Sequence, residues 1–244
     1  AIADAMMCLP LGDHSSEDGA SSFVNPMTAL GFVETAKRED HNAIVHAAAA
    51  SNLGQMLNRI CQEDGLGLVN IVRKDAQAEL LKSQGAAHVV NSSGEDFEQA
   101  LAEAIGATGA FIGFDPIGGG RTTDTCLRAM ERVAAKDMEE YSRYGSNKPK
   151  KMYIYGRLEL APTILTPSYG FAWTVSGWLL MPFLESCDMQ TLMRLRQRVQ
   201  AGLKTTFASS YKTRVNLDEM LTRDAMADYA QMATGEKYLV TPHS

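Results

Sequence analysis

The chain reads as a doubly wound α/β sheet, a parallel sheet with helices on both faces. Three observations predict this. Short apolar runs of strand length alternate with amphipathic helical patterns five times along the first 156 residues. The connections between them are only a few residues long. The strands are apolar at successive positions, as expected where helices cover both faces.

The elements follow in order. "NAIVHAA" (42–48) is β-branched at its centre and lies between charged and small residues, so it reads as the first strand. "LGQMLNRICQEDG" (53–65) places Leu53, Met56, Leu57 and Ile60 on one helical face, and Gly65 ends the helix. "LGLVNIV" (66–72) is the second strand and "DAQAELLKSQG" (75–85) the next helix. "AHVV" (87–90), "GEDFEQALAEAIG" (94–106), "GAFIGFD" (109–115), "TTDTCLRAMERVAA" (122–135) and "KMYIYG" (151–156) continue the alternation. The expected strand order is 3-2-1-4-5, extended by residues 174–181, with the 48–54 turn at the C-terminal edge.

Composition narrows the class. Of 244 residues, 45% are hydrophobic and 21% charged, an ordinary globular mixture. The net charge of −6 offers no basic footprint for nucleic acid. No apolar run approaches the roughly 18 residues of a membrane span, and the start lacks the basic and apolar regions of a signal peptide. The four cysteines are far apart with no CxxC among them, which fits reduced thiols and a cytoplasmic location.

The stretch "VHAAAASNLG" (45–54) joins the first strand to its helix through small residues. In a doubly wound sheet this turn is where a dinucleotide pyrophosphate rests on a helix N-terminus. Small side chains let phosphate approach the backbone. Ser51 and Asn52 can cap the helix or donate to phosphate, and Gly54 permits close helix–strand packing. A plain helix N-cap after a buried strand is the competing reading. In NAD-binding versions a carboxylate lies about 20 residues beyond the glycine motif and bonds the ribose 2′-hydroxyl. Here Arg73 stands 19 residues past Gly54, followed by Lys74. Two cations suit a 2′-phosphate, which favours NADP over NAD; a merely solvated loop is the alternative.

Ordered motifs add a family resemblance. "SSFVNPMTAL" (21–30), "AIVHAAAASNLGQ" (43–55), "LLKSQGAAHVVNSS" (80–93), "GFDPIGGG" (113–120) and "ATGEKYLVTP" (233–242) occur in the order seen in medium-chain dehydrogenases/reductases. The set resembles most the zinc-independent quinone oxidoreductase and enoyl reductase branch. The resemblance implies a Rossmann-type NAD(P)-binding domain whose candidate cofactor contacts are Ser51, Asn52, Leu53, Gly54, Arg73, Lys74, Ser92, Pro116, Ile117 and Gly156. It implies hydride transfer between NADPH and a small carbonyl, quinone or enone. It also implies a GroES-like barrel before this chain, carrying the catalytic groups, so that the chain alone is expected to be inactive. On this basis residues 1–24 are a linker, 25–215 the dinucleotide-binding domain, and 216–244 a helix and strand returning toward the barrel.

Departures and alternatives complete the reading. The usual glycine pair of the phosphate turn is Ser51–Asn52, and "AKDMEEYSRYGSNKPKK" (135–151) is a longer polar insertion than relatives carry. "SSFVNPMT" lacks the cysteine, aspartate or glutamate that would ligate catalytic zinc in alcohol dehydrogenases, so no metal site is expected. Two alternatives stay open: a crystallin-like nucleotide-binding protein without turnover, and a zinc-dependent alcohol dehydrogenase with its ligands in the other domain. "YGSNK" (144–148) has the Tyr-x-x-x-Lys spacing of short-chain dehydrogenases, but Gly145, Asn147 and Pro149 disfavour the helix that pair requires. The apolar stretch 168–184 reads as an edge strand, with a homodimer expected through residues 173–181.

Overall fold

The computed structural model describes residues 2, 8–230 and 237–242. The elements run α1 (Ser16–Gly19), α2 (Val24–Arg38), β1 (Ala43–His46), α3 (Asn52–Asp64), β2 (Gly67–Val72), α4 (Asp75–Ser83), β3 (His88–Asn91), α5 (Phe97–Thr108) and β4 (Ile112–Asp115). They continue with α6 (Thr122–Ala134), β5 (Lys150–Ile154), β6 (Trp173–Gly177), α7 (Leu180–Glu185), α8 (Met189–Ala201), β7 (Thr213–Val215), α9 (Arg223–Tyr229) and β8 (Tyr238–Val240). Six strands form one parallel sheet in the order β3-β2-β1-β4-β5-β6. The expected order, and its extension by a sixth strand, are both met.

Alternation within each strand builds two cores. Ile44, Leu68, Ile112 and Phe114 face α2, α3, α7 and α8. Their neighbours Val45, Val69, Ile71 and Phe111 face α5 and α6. Both sets are buried, which is why the strands lack a polar face. Cys61 and Cys126 are buried in these cores, and burial pushes the Cys61 thiol up to about 12.

One expectation changes, and two further features bear on the expected domain bounds. The apolar stretch 168–184 is not one strand: β6 ends at Gly177, and Leu180, Phe183 and Leu184 turn inward on α7. Only Trp173–Gly177 is therefore available at the sheet edge, not 173–181. The expected linker 1–24 contains α1, closed by a capping box between Ser15 and Asp18. β7 pairs in parallel with β8 across the expected boundary at 215/216, so those two strands form one unit. The stretch "ATGEKYLVTP" lies partly outside the described residues, with 237–242 described.

The insertion 135–151 is anchored, not loose. Ser146 donates its amide to Glu131 Oε1 at 2.7 Å and its hydroxyl to Oε2 at 2.6 Å. Lys150 Nζ reaches the same carboxylate at 2.7 Å, with its side chain fully buried. Residues 144–148 form no helix, so the Tyr144/Lys148 spacing is not that of a short-chain dehydrogenase pair.

Candidate nucleotide-binding site

The sequence-predicted residues come from five strand-to-helix or strand-to-loop corners, one after each of β1 to β5, at the C-terminal edge of the sheet. β1 ends at His46 and the turn passes through four alanines to Ser51, the N-cap of α3. Backbone hydrogen bonds stitch this turn to both neighbouring strands: Ala47 N to Phe114 O at 3.2 Å and Ala49 N to Ile71 O at 3.0 Å. Ala48 has a positive φ of 50°, a conformation that costs a non-glycine residue about 1–3 kcal/mol and concentrates at functional turns. Ala49 and Ala50 are buried against Val72, Ala78 and Leu81. Their small size therefore serves packing beneath the turn as well as access from above.

Ser51 Oγ accepts from Gly54 N at 3.1 Å, which leaves its hydroxyl proton available to an anion. Asn52 instead donates to Ser209 Oγ at 3.1 Å, tying the 202–211 segment to the turn. Leu53 buries its side chain in the core, so only its backbone amide can meet a ligand. At Gly54 a Cβ would lie 2.1 Å from Ala49 O, so only glycine lets α3 start this close to the turn.

Arg73 and Lys74 follow β2 and are exposed. Lys74 is the N-cap of α4 and makes no side-chain capping bond, unlike Ser51 on α3. The N-terminus of α4 is thus open beside two cations. Ser92, past the end of β3, donates its amide to Val72 O at 2.7 Å and stays exposed. Past β4, Pro116 is buried and Ile117 half-buried, and Gly156 follows β5. A Cβ on Gly156 would lie 2.7 Å from Pro116 O, which brings these two corners into contact.

Two buried features beneath these corners were not among the candidate site residues, although Asp115 lies in the quoted "GFDPIGGG". Asp115 is fully buried at the end of β4; its carboxylate accepts from Ile117 N at 2.8 Å and Thr123 Oγ at 2.9 Å, fixing the "DPIGGG" loop. Burial raises its pKa, partly offset by those bonds. His46 is also fully buried, with Nε2 2.8 Å from the Tyr155 hydroxyl. Burial holds His46 down at about 3, so the ring is neutral at neutral pH. A histidine in an otherwise apolar strand end was the available clue.

That depression has a signed consequence. Between about pH 6.5 and 3 the unfolded chain binds a proton at this position that the folded chain refuses. Stability is thus present above pH 6.5 and falls with acidification by about 1.4 kcal/mol per pH unit from this group alone. Chemical denaturation at pH 7 and pH 5 is expected to show a smaller loss for His46→Gln than for the parent. An equal loss in both removes His46 from the account.

Solved structures of the same shape were found. A candidate NADPH:quinone reductase from Mesorhizobium loti matches with TM-score 0.79 and 26% identity, over 98% of this chain and 65% of that one. In fold, the chain matches the nucleotide-binding type of parallel α/β sheet within that reductase. An Escherichia coli quinone oxidoreductase complexed with NADPH matches this chain at TM-score 0.71 and 19% identity, over 96% of this chain and 67% of that one. A mutant form of a Candida tropicalis enoyl thioester reductase matches at 0.68 and 17%, over 93% and 62%. The chain spans less than two thirds of the length of the Mesorhizobium loti protein. No family model matches it. Among the described residues, no cluster of three or more His, Cys, Asp or Glu could hold a metal, and no helix is long and apolar enough to cross a membrane.

Proposed function

We propose that the chain is the NADP(H)-binding domain of an oxidoreductase that passes hydride between NADPH and a small carbonyl, quinone or conjugated enone. The observation that carries this is the pair Arg73 and Lys74 at the uncapped start of α4, next to a glycine-dependent β1–α3 turn. Together they place two exposed cations at the second strand end, one corner away from the turn where α3 begins. The neighbours described as quinone and enoyl reductases support the same reading.

When bound, the nicotinamide supplies the hydride chemistry; the chain's residues bind and orient it. The amides at the start of α3 and the Ser51 hydroxyl hold the pyrophosphate. Arg73 and Lys74 meet the 2′-phosphate with charge-assisted bonds. Ser92, Pro116, Ile117 and Gly156 flank the nucleoside halves. The proposal keeps residues 25–215 as this domain, with 1–24 leading in and 216–244, whose β8 pairs back onto β7, leading toward a catalytic domain, in a cytoplasmic protein.

Calorimetric titration tests the cofactor choice. Hydrogen bonds to charged groups contribute roughly 1.5–3 kcal/mol each, and 1.4 kcal/mol is tenfold in affinity. NADPH is expected to bind at least about tenfold tighter than NADH, and Arg73→Ala to erase most of that ratio. Equal affinities, or a ratio untouched by Arg73→Ala, would sink the assignment.

A homodimer is proposed through the outer edge of β6, the last strand of the sheet. The strand is flanked by exposed Phe171 and Leu179 and carries no charge or proline. Such an edge favours pairing with another strand. Sedimentation should show a dimer that Thr174→Lys converts to monomer; a parent chain that is monomeric at high concentration contradicts the proposal.

A further inference from the structure

The corner that carries Arg73 and Lys74 also carries a carboxylate. Asp75 is the first residue of α4 and is exposed. Free to rotate, it would compete with a phosphate for both cations and for the open amides of the helix. It would also offer a ribose 2′-hydroxyl the acceptor that NAD-binding sheets use.

The structure turns that carboxylate aside. Asn91, the last residue of β3, donates Nδ2–H to Asp75 Oδ1 at 2.7 Å. Its own Oδ1 accepts from Ser93 N at 3.0 Å, so both ends of the amide are committed and its orientation follows from the partners. The same segment holds the rest of the corner. Ser93 Oγ donates to Arg73 O at 2.9 Å, and Gln77 Oε1 accepts from Arg73 N at 3.1 Å. Val72 stands opposite Asn91 in the β2–β3 register, which sets the span that the Asn91 side chain crosses.

Resting on the NADP(H) reading above, we infer that Asn91 is a positioning residue for cofactor choice: it holds the Asp75 carboxylate off the 2′-phosphate site. Losing Asn91 acts on the ratio by two routes in one direction. The freed carboxylate repels the 2′-phosphate of NADPH, and it accepts from the 2′-hydroxyl of NADH.

The test is calorimetric binding of NADPH and NADH to the 244-residue chain and its variants, with thermal melts alongside. Asn91→Ala, and Asn91→Ser as a second variant too short to reach Asp75, are expected to lower the NADPH:NADH preference by about tenfold, equivalent to 1.4 kcal/mol. Asp75→Asn in the Asn91→Ala background is expected to restore the parent ratio, because the charge and not the corner's shape is responsible. A purely structural Asn91 would weaken both cofactors together and would not be rescued by removing the charge. That result, or an unchanged ratio in both Asn91 variants, overturns the inference while leaving the cofactor assignment intact. A parent chain that does not prefer NADPH overturns the assignment itself.

Discussion

Gly54→Ala is expected to destabilise the chain by about 3 kcal/mol, the upper end of overpacking costs, and to abolish nucleotide binding. The added methyl would lie 2.1 Å from Ala49 O and 2.8 Å from Ala49 Cα. Neither is the end of a flexible side chain that could swing away. Ala49 is fully buried and its amide is bonded to Ile71 O, so the turn cannot retreat without breaking its link to β2. The start of α3 must lift, and the amides proposed to hold the pyrophosphate move with it. In a domain of this size the melting midpoint should fall by roughly 6–12 °C. Gly106→Ala is the control: on α5 a methyl would meet only Val133, at 3.8 Å. That helical position should gain about 0.5–1 kcal/mol. A Gly54→Ala chain that melts like the parent and binds NADPH normally would refute the description of the turn.

Lys150→Met should cost about 3–5 kcal/mol, the range for breaking one side of a buried ion pair. The Lys150 side chain is fully buried, 2.7 Å from Glu131 Oε2, and donates also to Ser146 Oγ at 3.1 Å and Lys148 O at 2.9 Å. Burial by itself raises the Glu131 pKa, but bonds from Lys150 and Ser146 outweigh it and hold the carboxyl below its usual range. Methionine leaves that carboxylate half-desolvated without its cation. Adding Glu131→Leu should recover most of the loss, since an apolar pair of similar volume is often as stable as the ions it replaces. Hydrogen exchange should also speed up at residues 142–148 in the single variant, because Ser146 is held by the same carboxylate. A single variant within 1 kcal/mol of the parent, on the scale of an ordinary surface change, would show that the pair does not hold the insertion.

How much of this was legible in the sequence depended on where the physics is local. The β1–α3 unit could be read because Leu53, Met56, Leu57 and Ile60 repeat at helical spacing after a β-branched run, and the structure starts α3 within one residue of that reading. The strand order followed from short connections and two-faced apolar strands. The 168–184 run misled for a physical reason: continuous apolar sequence has no period, so a strand and a short buried helix look alike. Pro182, in the first turn of α7, was the signal against a long strand. The start of α5 shifted to Phe97 because residues 91–96 form a turn in which Gly94 N bonds Asn91 O. The candidate cations Arg73 and Lys74 could be named from the sequence, since their position is counted from the turn. Their neighbours were not: Asn91 and Asp75 are 16 residues apart, and His46 meets Tyr155 across 109. Such pairs are set by sheet register, which a single sequence does not print.

A dinucleotide is proposed to lie across the C-terminal edge of this sheet, with its pyrophosphate at α3 and its 2′-phosphate at Arg73 and Lys74. A titration of the isotope-labelled chain with NADPH, followed by backbone amide chemical shifts, tests it directly. The expected shifts are largest at residues 51–54 and 73–77, with smaller ones at 117–118 and 156. Titration with NADH should reproduce those at 51–54 but not those at 73–77. Shifts confined to other faces of the sheet, or identical patterns for the two cofactors at 73–77, would contradict the account.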